Sequence, residues 1–159
     1  MEDLQQDESN LNRKLKIRIL QATVVAVMLY GCESWSLSKK LKKELDGSYT
    51  RMLRKALNVS WKQKVPNTEL YGDLPKISDV VRERRLRLAG HCMRHKNEVS
   101  SNLVIWRPSR GSRNRGRPTN TFVDTIMRDT GLVAAELRGC MTDRDKWRFI
   151  VVRAGRSST

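Results

Sequence analysis

The chain has 159 residues, enough for one modest hydrophobic core or two small ones but too few for a polymerase palm with accessory domains. Its 32 lysines and arginines outnumber its 17 aspartates and glutamates, and the net charge of +15 favours phosphate as a partner. The longest apolar stretch, residues 22–30, is far shorter than the roughly 20 residues of a membrane span, so no transmembrane segment is predicted.

The first part of the chain predicts two long helices. Apolar residues recur every three or four positions over residues 11–30, where Asn10 is placed to cap the helix and Gly31 to end it. After a junction at 32–35, a second helix is predicted over 38–57, with a possible break at Gly47. Its inward stripe is Leu41, Leu45, Tyr49, Leu53 and Leu57. Its other faces are basic, with Lys39, Lys40, Lys42, Lys43, Arg51, Arg54 and Lys55.

The middle of the chain predicts a short helix and a third long one. The short helix runs to residue 71, is capped by Asn67 or Thr68, and is closed by Gly72 and Pro75. The long helix covers 78–95 and is rich in arginine. Val81, Arg84, Leu88 and Cys92 lie near one stripe of this helix, and Arg82, Arg85 and Arg87 lie on its other faces.

The composition changes after residue 98. Residues 103–106 fit a short strand or a buried extended segment, within a linker over 99–118 that becomes rich in arginine and glycine. Thr119 or Asn120 is then placed to cap a helix that runs to Asp129 and ends at Gly131, and short helices follow at 134–140 and 143–153.

These patterns predict an all-α fold, a small bundle of about three long helices followed by a basic linker and a short C-terminal helical subdomain. The expected regions are a disordered acidic terminus at 1–10, a helical region at 11–98, the linker at 99–118, a helical region at 119–155 and a disordered tail at 156–159. The acidic first nine residues are unlike a secretory or mitochondrial leader. Cys32, Cys92 and Cys140 are odd in number and widely spaced, which favours a reducing, intracellular location over secretion.

No catalytic centre is predicted. The sequence has no Asp-Asp pair for two-metal chemistry and no phosphate-binding glycine loop. The acidic pair at 143 and 145 is interpreted as a helix cap rather than a metal site. His91 and His95 could share a helix face for zinc, with Cys92 beside them, but the four ligands of a structural zinc are not in reach. We expect no metal and no cofactor.

Three groups of motifs, in order, resemble the region after the catalytic palm of non-LTR (LINE-like) retrotransposon endonuclease-reverse transcriptases. The first is Leu-Tyr-Gly-Cys-Glu-Ser-Trp at 29–35, and the second is Arg-Arg-Leu-Arg-Leu-Ala-Gly-His at 84–91, followed by Arg94. The third is Arg-Gly-Arg-Pro at 115–118, Phe-Val-Asp at 122–124 and Asp-Arg-Asp-Lys-Trp-Arg at 143–148. The resemblance spans about residues 11–150. The family's endonuclease domain and its palm with paired aspartates have no counterpart in this sequence.

The resemblance implies a thumb-like region that grips the template–primer duplex and contributes to binding of the element RNA, within a nuclear or cytoplasmic ribonucleoprotein. Phosphate contacts would supply the affinity, and no membrane partner is expected. The predicted nucleic-acid-binding residues are Arg82, Arg84, Arg85, Arg87, Arg94, Arg107, Arg110, Arg113, Arg115 and Arg117. Individual helical arginines could instead be solvated or paired with Asp79 or Glu83.

Two other functions remain open from the sequence. Leu41, Leu45 and Leu53 could form a self-association or protein-interaction surface if a face that would pack on an absent palm is exposed. The chain could also be a non-functional relic of a truncated element. The four tryptophans, Trp35, Trp61, Trp106 and Trp147, are interpreted as core residues rather than stacking surfaces for bases.

Overall fold

The computed structural model describes residues 12–95, 99–106 and 121–155. All regular secondary structure within these ranges is helical, which confirms the all-α prediction. The chain divides into unit 1, built from residues up to Tyr30 and Lys39–Leu74, and unit 2, built from Gly31–Ser38 and the residues from Pro75 onward. This division differs from the predicted regions 11–98 and 119–155, because the third long helix packs with the C-terminal helices. The predicted segments 1–10 and 156–159 lie outside the described residues.

Unit 1 begins with helix α1 (Arg13–Leu20), which continues through a π-helical turn (Gln21–Val25) into α2 (Ala26–Met28). The side chain of Asn12 caps α1 by accepting from the Lys14 backbone N–H at 3.2 Å, whereas the predicted cap, Asn10, lies outside the described residues. The unit continues with α3 (Lys39–Ala56), which runs through Gly47 without a break, and α4 (Asn67–Tyr71). The limits of α3 agree with the predicted helix over 38–57.

The buried residues of unit 1 come from its first helical stretch and from α3. Leu20, Val25 and Leu29 from the first helical stretch are buried, as are Tyr49 and Leu53 of α3. The inward stripe predicted for α3 is therefore confirmed at its centre, but Leu41 at its start is 47% exposed. Because Leu53 is 0% exposed, this residue cannot contribute to the self-association surface predicted from Leu41, Leu45 and Leu53.

Hydrogen bonds tie α3 to α4. The hydroxyl of Tyr71 lies 2.8 Å from Oγ1 of Thr50, and the ring of Tyr71 meets that of Tyr49 edge to face at 5.8 Å. The predicted cap by Asn67 or Thr68 is wrong, because α4 starts after an extended Pro66 without a side-chain cap. Asn67 instead accepts a hydrogen bond from Arg54 at 2.9 Å.

Unit 2 is built around α5 (Ile77–Arg94), which matches the predicted third long helix within one residue at each end. A short 3₁₀ turn (Cys32–Ser34) packs against it, together with α6 (Val99–Val104), α7 (Phe122–Thr130), α8 (Ala134–Thr142) and α9 (Arg144–Gly155). The core consists of Leu86, Ala89, Met93, Val104, Val123, Ile126, Leu137, Met141, Trp147, Val151 and Ala154.

The segment at 103–106 is not a strand. Leu103 and Val104 form the end of α6, and Val104 is buried in the core of unit 2. The local sequence is apolar and short, so its periodicity alone does not separate a strand from a buried helical turn. The rest of the predicted linker, residues 107–118, lies outside the described residues.

The centre of unit 2 is a close contact between Gly90 and Trp147. The indole Nε1 of Trp147 donates to the Leu86 carbonyl at 2.8 Å, so the ring lies directly against α5. A Cβ atom at position 90 would overlap Nε1 and Cδ1 of the ring. The second motif, at 84–91, and the last motif, at 143–148, therefore meet in the fold, and only glycine leaves room for the ring.

Side-chain caps define the starts of α7 and α9. Thr121 and Asp124 form a reciprocal capping box on α7, whereas the predicted caps Thr119 and Asn120 lie outside the described residues. Gly131 ends α7 in a left-handed conformation, as predicted. Asp143 caps α9 by accepting from the backbone N–H groups of residues 145 and 146, both at 3.1 Å, which confirms the cap interpretation. These hydrogen bonds, that of Lys146 first, lower the pKa of Asp143 from its ordinary 3.8.

Within the ranges that the structure describes, no helix combines the length and the apolar character needed to cross a membrane.

Candidate nucleic-acid interface

Arg85, one of the predicted binding residues, is a core residue. Its side chain is 2% exposed, and its guanidinium donates to the Asp129 carboxylate at 2.5 Å and to the Trp35 carbonyl at 2.7 Å. Asp129 is itself 4% exposed. Because both ends of this ion pair are buried and hydrogen-bonded, Arg85 holds unit 2 together and is not accessible to a phosphate.

Arg82 belongs to the same internal network. Its side chain is only 14% exposed and lies 3.3 Å from Asp79 and 3.8 Å from Asp129. It also donates to the carbonyl of Ala154 at 2.7 Å, which joins α5 to the end of α9. The pairing with Asp79 that the sequence suggested is therefore present. The side chain of Arg82 stabilises the packing of unit 2.

Arg94, at the end of α5, is partly buried as well. Its guanidinium donates to the Met141 carbonyl of α8 at 3.3 Å. Three of the five predicted arginines on α5 therefore stabilise the packing of unit 2. The predicted linker arginines lie outside the described residues; they are Arg107, Arg110, Arg113, Arg115 and Arg117.

Arg84 and Arg87 share an open surface of unit 2. With Glu33, Leu88 and His91 they line a cleft of about 460 Å³ between α5 and the 3₁₀ turn. The side chain of Arg87 is 70% exposed and pairs with Glu83 at 2.5 Å, an i to i+4 pair that was considered from the sequence. Of the predicted residues on α5, these two arginines are the ones that the structure brings together at an accessible site.

A buried thiol lies beside this cleft. Cys32 is 0% exposed, and its burial, assisted by the Glu33 carboxylate, raises the pKa of its thiol above the ordinary 9.0, against the opposing influence of Arg84. The thiol is therefore protonated at neutral pH. A protonated, buried cysteine is a packing residue rather than a nucleophile.

His91 and His95 lie on one face of α5, edge to face with ring centroids 4.5 Å apart. Cys92 is partly buried against the core of unit 2. Among the described residues, no group of three or more histidine, cysteine, aspartate or glutamate side chains is arranged to hold a metal ion.

The outer face of α3 in unit 1 carries a stripe of cations that was not among the predicted binding residues. We call Lys40, Lys43, Arg51 and Lys55 the basic stripe; all four are exposed. Their spacing of three, eight and four residues places them on one side of the helix along about 22 Å of its length. Glu44 lies 3.9 Å from Lys40 in an exposed ion pair, which neutralises little of this charge. The spacing of the cations in the sequence was sufficient to find the stripe.

The tryptophans divide between core and surface. Trp147 is 2% exposed, which confirms the core interpretation, and Trp35 is partly buried. The interpretation is wrong for Trp61 and Trp106, which are 80% and 58% exposed. Trp61 starts a short 3₁₀ turn and Trp106 follows the end of α6, so neither lies on the inward face of a long helix.

Comparison with known proteins gives one informative similarity. A Caenorhabditis elegans protein described as transposon-derived and uncharacterized is 23% identical over 159 residues, an alignment that covers 92% of this chain. The similarity supports a transposon-related origin. The chain spans 57% of the length of that relative. No protein-family model and no solved structure matches the sequence.

Proposed function

We propose that this transposon-related chain binds nucleic acid through phosphate contacts. In this proposal it acts as the thumb-like, nucleic-acid-holding part of a non-LTR retrotransposon reverse transcriptase, on a template–primer duplex or on element RNA. It carries out no polymerase or nuclease chemistry of its own, since the sequence lacks paired metal-binding aspartates. The expected setting is an intracellular ribonucleoprotein.

The basic stripe of α3 is the observation that carries the proposal. Its four cations are exposed and follow one side of an 18-residue helix, so they can contact successive phosphates of a backbone. Arg84 and Arg87 supply a second accessible pair of cations in unit 2. The net charge of +15 strengthens the attraction at longer range.

Removing two cations from the basic stripe tests the proposal. We expect the double variant Lys43→Gln/Lys55→Gln to lose on the order of tenfold in affinity for duplex DNA and for RNA at low salt, because two phosphate contacts disappear. The slope of log affinity against log salt should become shallower by about two. Affinity is measured by fluorescence anisotropy with labelled oligonucleotides.

The matched control is Lys62→Gln/Arg138→Gln, which removes the same charge from exposed positions outside the basic stripe. The control variant should lose clearly less affinity than the double variant of the basic stripe. It should also retain most of the slope of log affinity against log salt. An equal loss in both double variants would mean that net charge, rather than the stripe, attracts the nucleic acid, and would contradict the assignment of the interface to α3.

A further inference from the structure

The cleft beside α5 contains a carboxylate, that of Glu33, whose presence is not explained by phosphate binding. Arg84, Arg87 and His91 occupy one side of the helix, at steps of three and four residues, and form the cationic wall of the cleft. The opposite part of the lining is Glu33, a carboxylate that would repel a phosphate placed near it. A ligand that fits the whole cleft must therefore offer an anion to the arginines and a hydrogen-bond donor to Glu33.

We propose that this cleft binds one ribonucleotide of single-stranded RNA. The phosphate pairs with Arg84 and Arg87, and the ribose 2′-hydroxyl donates a hydrogen bond to the carboxylate of Glu33. An ionised carboxylate only accepts hydrogen bonds, and the 2′-hydroxyl is the donor that distinguishes RNA from DNA. The inference rests on the proposed function and adds to it a preference for RNA and the residue that supplies this preference.

The lining of the cleft offers contacts to a single nucleotide. The cleft is a shallow, largely open depression of about 460 Å³, so a nucleotide would lie against its wall and stay partly in solvent. Leu88, which is 39% exposed at the cleft, offers an apolar contact to the ribose or base. A single strand can turn one sugar into such a cleft, whereas the sugars of a duplex are held along the helix at fixed spacing.

The turn that carries Glu33 is held in position before a ligand arrives, whereas the guanidinium of Arg87 can reorient. Cys32, immediately before Glu33, is completely buried, and the Ser34 hydroxyl donates to the Gly31 carbonyl at 3.0 Å, so the 3₁₀ turn is anchored on both sides of the carboxylate. Arg87 is paired with Glu83 at the surface. An exposed ion pair of this kind costs little to open, so the guanidinium can turn to a phosphate.

The test compares single-stranded RNA, DNA and 2′-O-methyl RNA of one sequence. The unchanged protein should bind the RNA about tenfold more tightly than the other two strands, as expected for a hydrogen bond to a charged group. In Glu33→Gln this ratio should fall to about threefold or less, because the amide oxygen still accepts from the 2′-hydroxyl but without the charge that strengthens the hydrogen bond, while binding stays steeply dependent on salt. The control Glu136→Gln removes the same charge from an exposed position of α8 and should keep the full ratio.

A second measurement uses the unchanged protein, so it does not depend on the folding of a variant. The affinity for a DNA decamer should rise roughly in proportion to the number of ribonucleotides placed in it, because each 2′-hydroxyl adds one register in which a ribose occupies the cleft. An interior ribonucleotide that adds no affinity, or a gain that appears only with several consecutive ribonucleotides, would overturn the single-site proposal.

The two proposals fail in different ways. Equal affinity for RNA and DNA with steep salt dependence, or an unchanged RNA preference in Glu33→Gln, would overturn the ribonucleotide site and leave phosphate-driven binding in place. Binding that does not depend on salt would overturn both.

Discussion

Two arginines that lie two positions apart on α5 have opposite environments. Arg85 points into unit 2 and is fixed by Asp129 and the Trp35 carbonyl, whereas Arg87 is 70% exposed beside the cleft. Charge alone does not distinguish them in the sequence. In the structure Arg85 stabilises the fold, whereas Arg87 is available to a ligand. Substitutions of the two arginines should therefore have different effects on stability.

Replacing Arg85 should destabilise unit 2. We expect Arg85→Met to lower the free energy of unfolding by about 3–5 kcal/mol, because the buried Asp129 carboxylate is left without its closest partner. Arg87→Met, the matched control, should change the free energy of unfolding by less than about 1 kcal/mol, because its ion pair is exposed. Urea unfolding followed by circular dichroism measures both, and similar values for the two variants would contradict the buried position of Arg85.

The contact between Gly90 and Trp147 should make position 90 sensitive to substitution. Gly90→Ala places a methyl group against the indole ring and should cost about 1–3 kcal/mol of stability or more. Gly139→Ala is the matched control, because its Cβ would meet open space on α8, and it should be neutral or stabilise by up to about 1 kcal/mol. The melting temperature should therefore fall in Gly90→Ala and stay unchanged or rise in Gly139→Ala, and a neutral Gly90→Ala would show that the ring does not occupy this place.

At the scale of elements, helix limits were more predictable than the faces that helices bury. The predicted helices over 38–57 and 78–95 agree with α3 and α5 within one residue at each end, because long periodic segments with clear end signals depend on local sequence. The stripe predicted on α5 through Arg84 and Leu88 did not correspond to the face that this helix buries. That face includes Ala89 and Gly90, which make room for Trp147, and Arg85, whose partner lies 44 residues away. Partners this distant have no signature in local periodicity.

The candidate site was predicted only in part, for a similar reason. The sequence pointed to Arg84 and Arg87, which are accessible, but equally to Arg82, whose second acidic partner, Asp129, becomes visible only in the folded unit. The role proposed for Glu33 could be recognised only from the cleft in the folded unit, since nothing in the local sequence places this residue beside α5. The basic stripe of α3 could have been found from the sequence by the spacing of its cations.

The cap of α9 gives a prediction that depends on pH. The pKa of Asp143 is lowered in the folded state, so its contribution to stability is complete above its unfolded pKa of about 3.8 and is lost as the pH falls through the folded pKa. Asp143→Asn keeps a good capping side chain but does not titrate. The stability of the parent protein relative to this variant should therefore fall as the pH is lowered from about 5 to about 2. Urea unfolding at several pH values measures the difference, and one that stays constant would contradict the capping role of the carboxylate.

The whole chain combines two compact helical units with a net charge of +15. Three of the five predicted arginines of α5 stabilise the packing of unit 2, so the proposed binding of nucleic acid relies on cations that the fold leaves exposed, above all the basic stripe. Self-association through the leucines of α3 is a weaker explanation of the surface, because Leu53 is buried within unit 1. The transposon-derived relative supports a transposon-related origin, and phosphate-driven binding of nucleic acid is our proposal.

Phosphate-driven binding is tested by the dependence of affinity on salt concentration. Affinity of the unchanged protein for duplex DNA and for RNA is measured at several salt concentrations, with helical circular dichroism recorded under the same conditions. If about six phosphates are neutralised, log affinity for duplex DNA should fall against log salt with a slope near −5, while the helical signal stays constant. A slope near zero with an intact helical signal would contradict phosphate-driven binding.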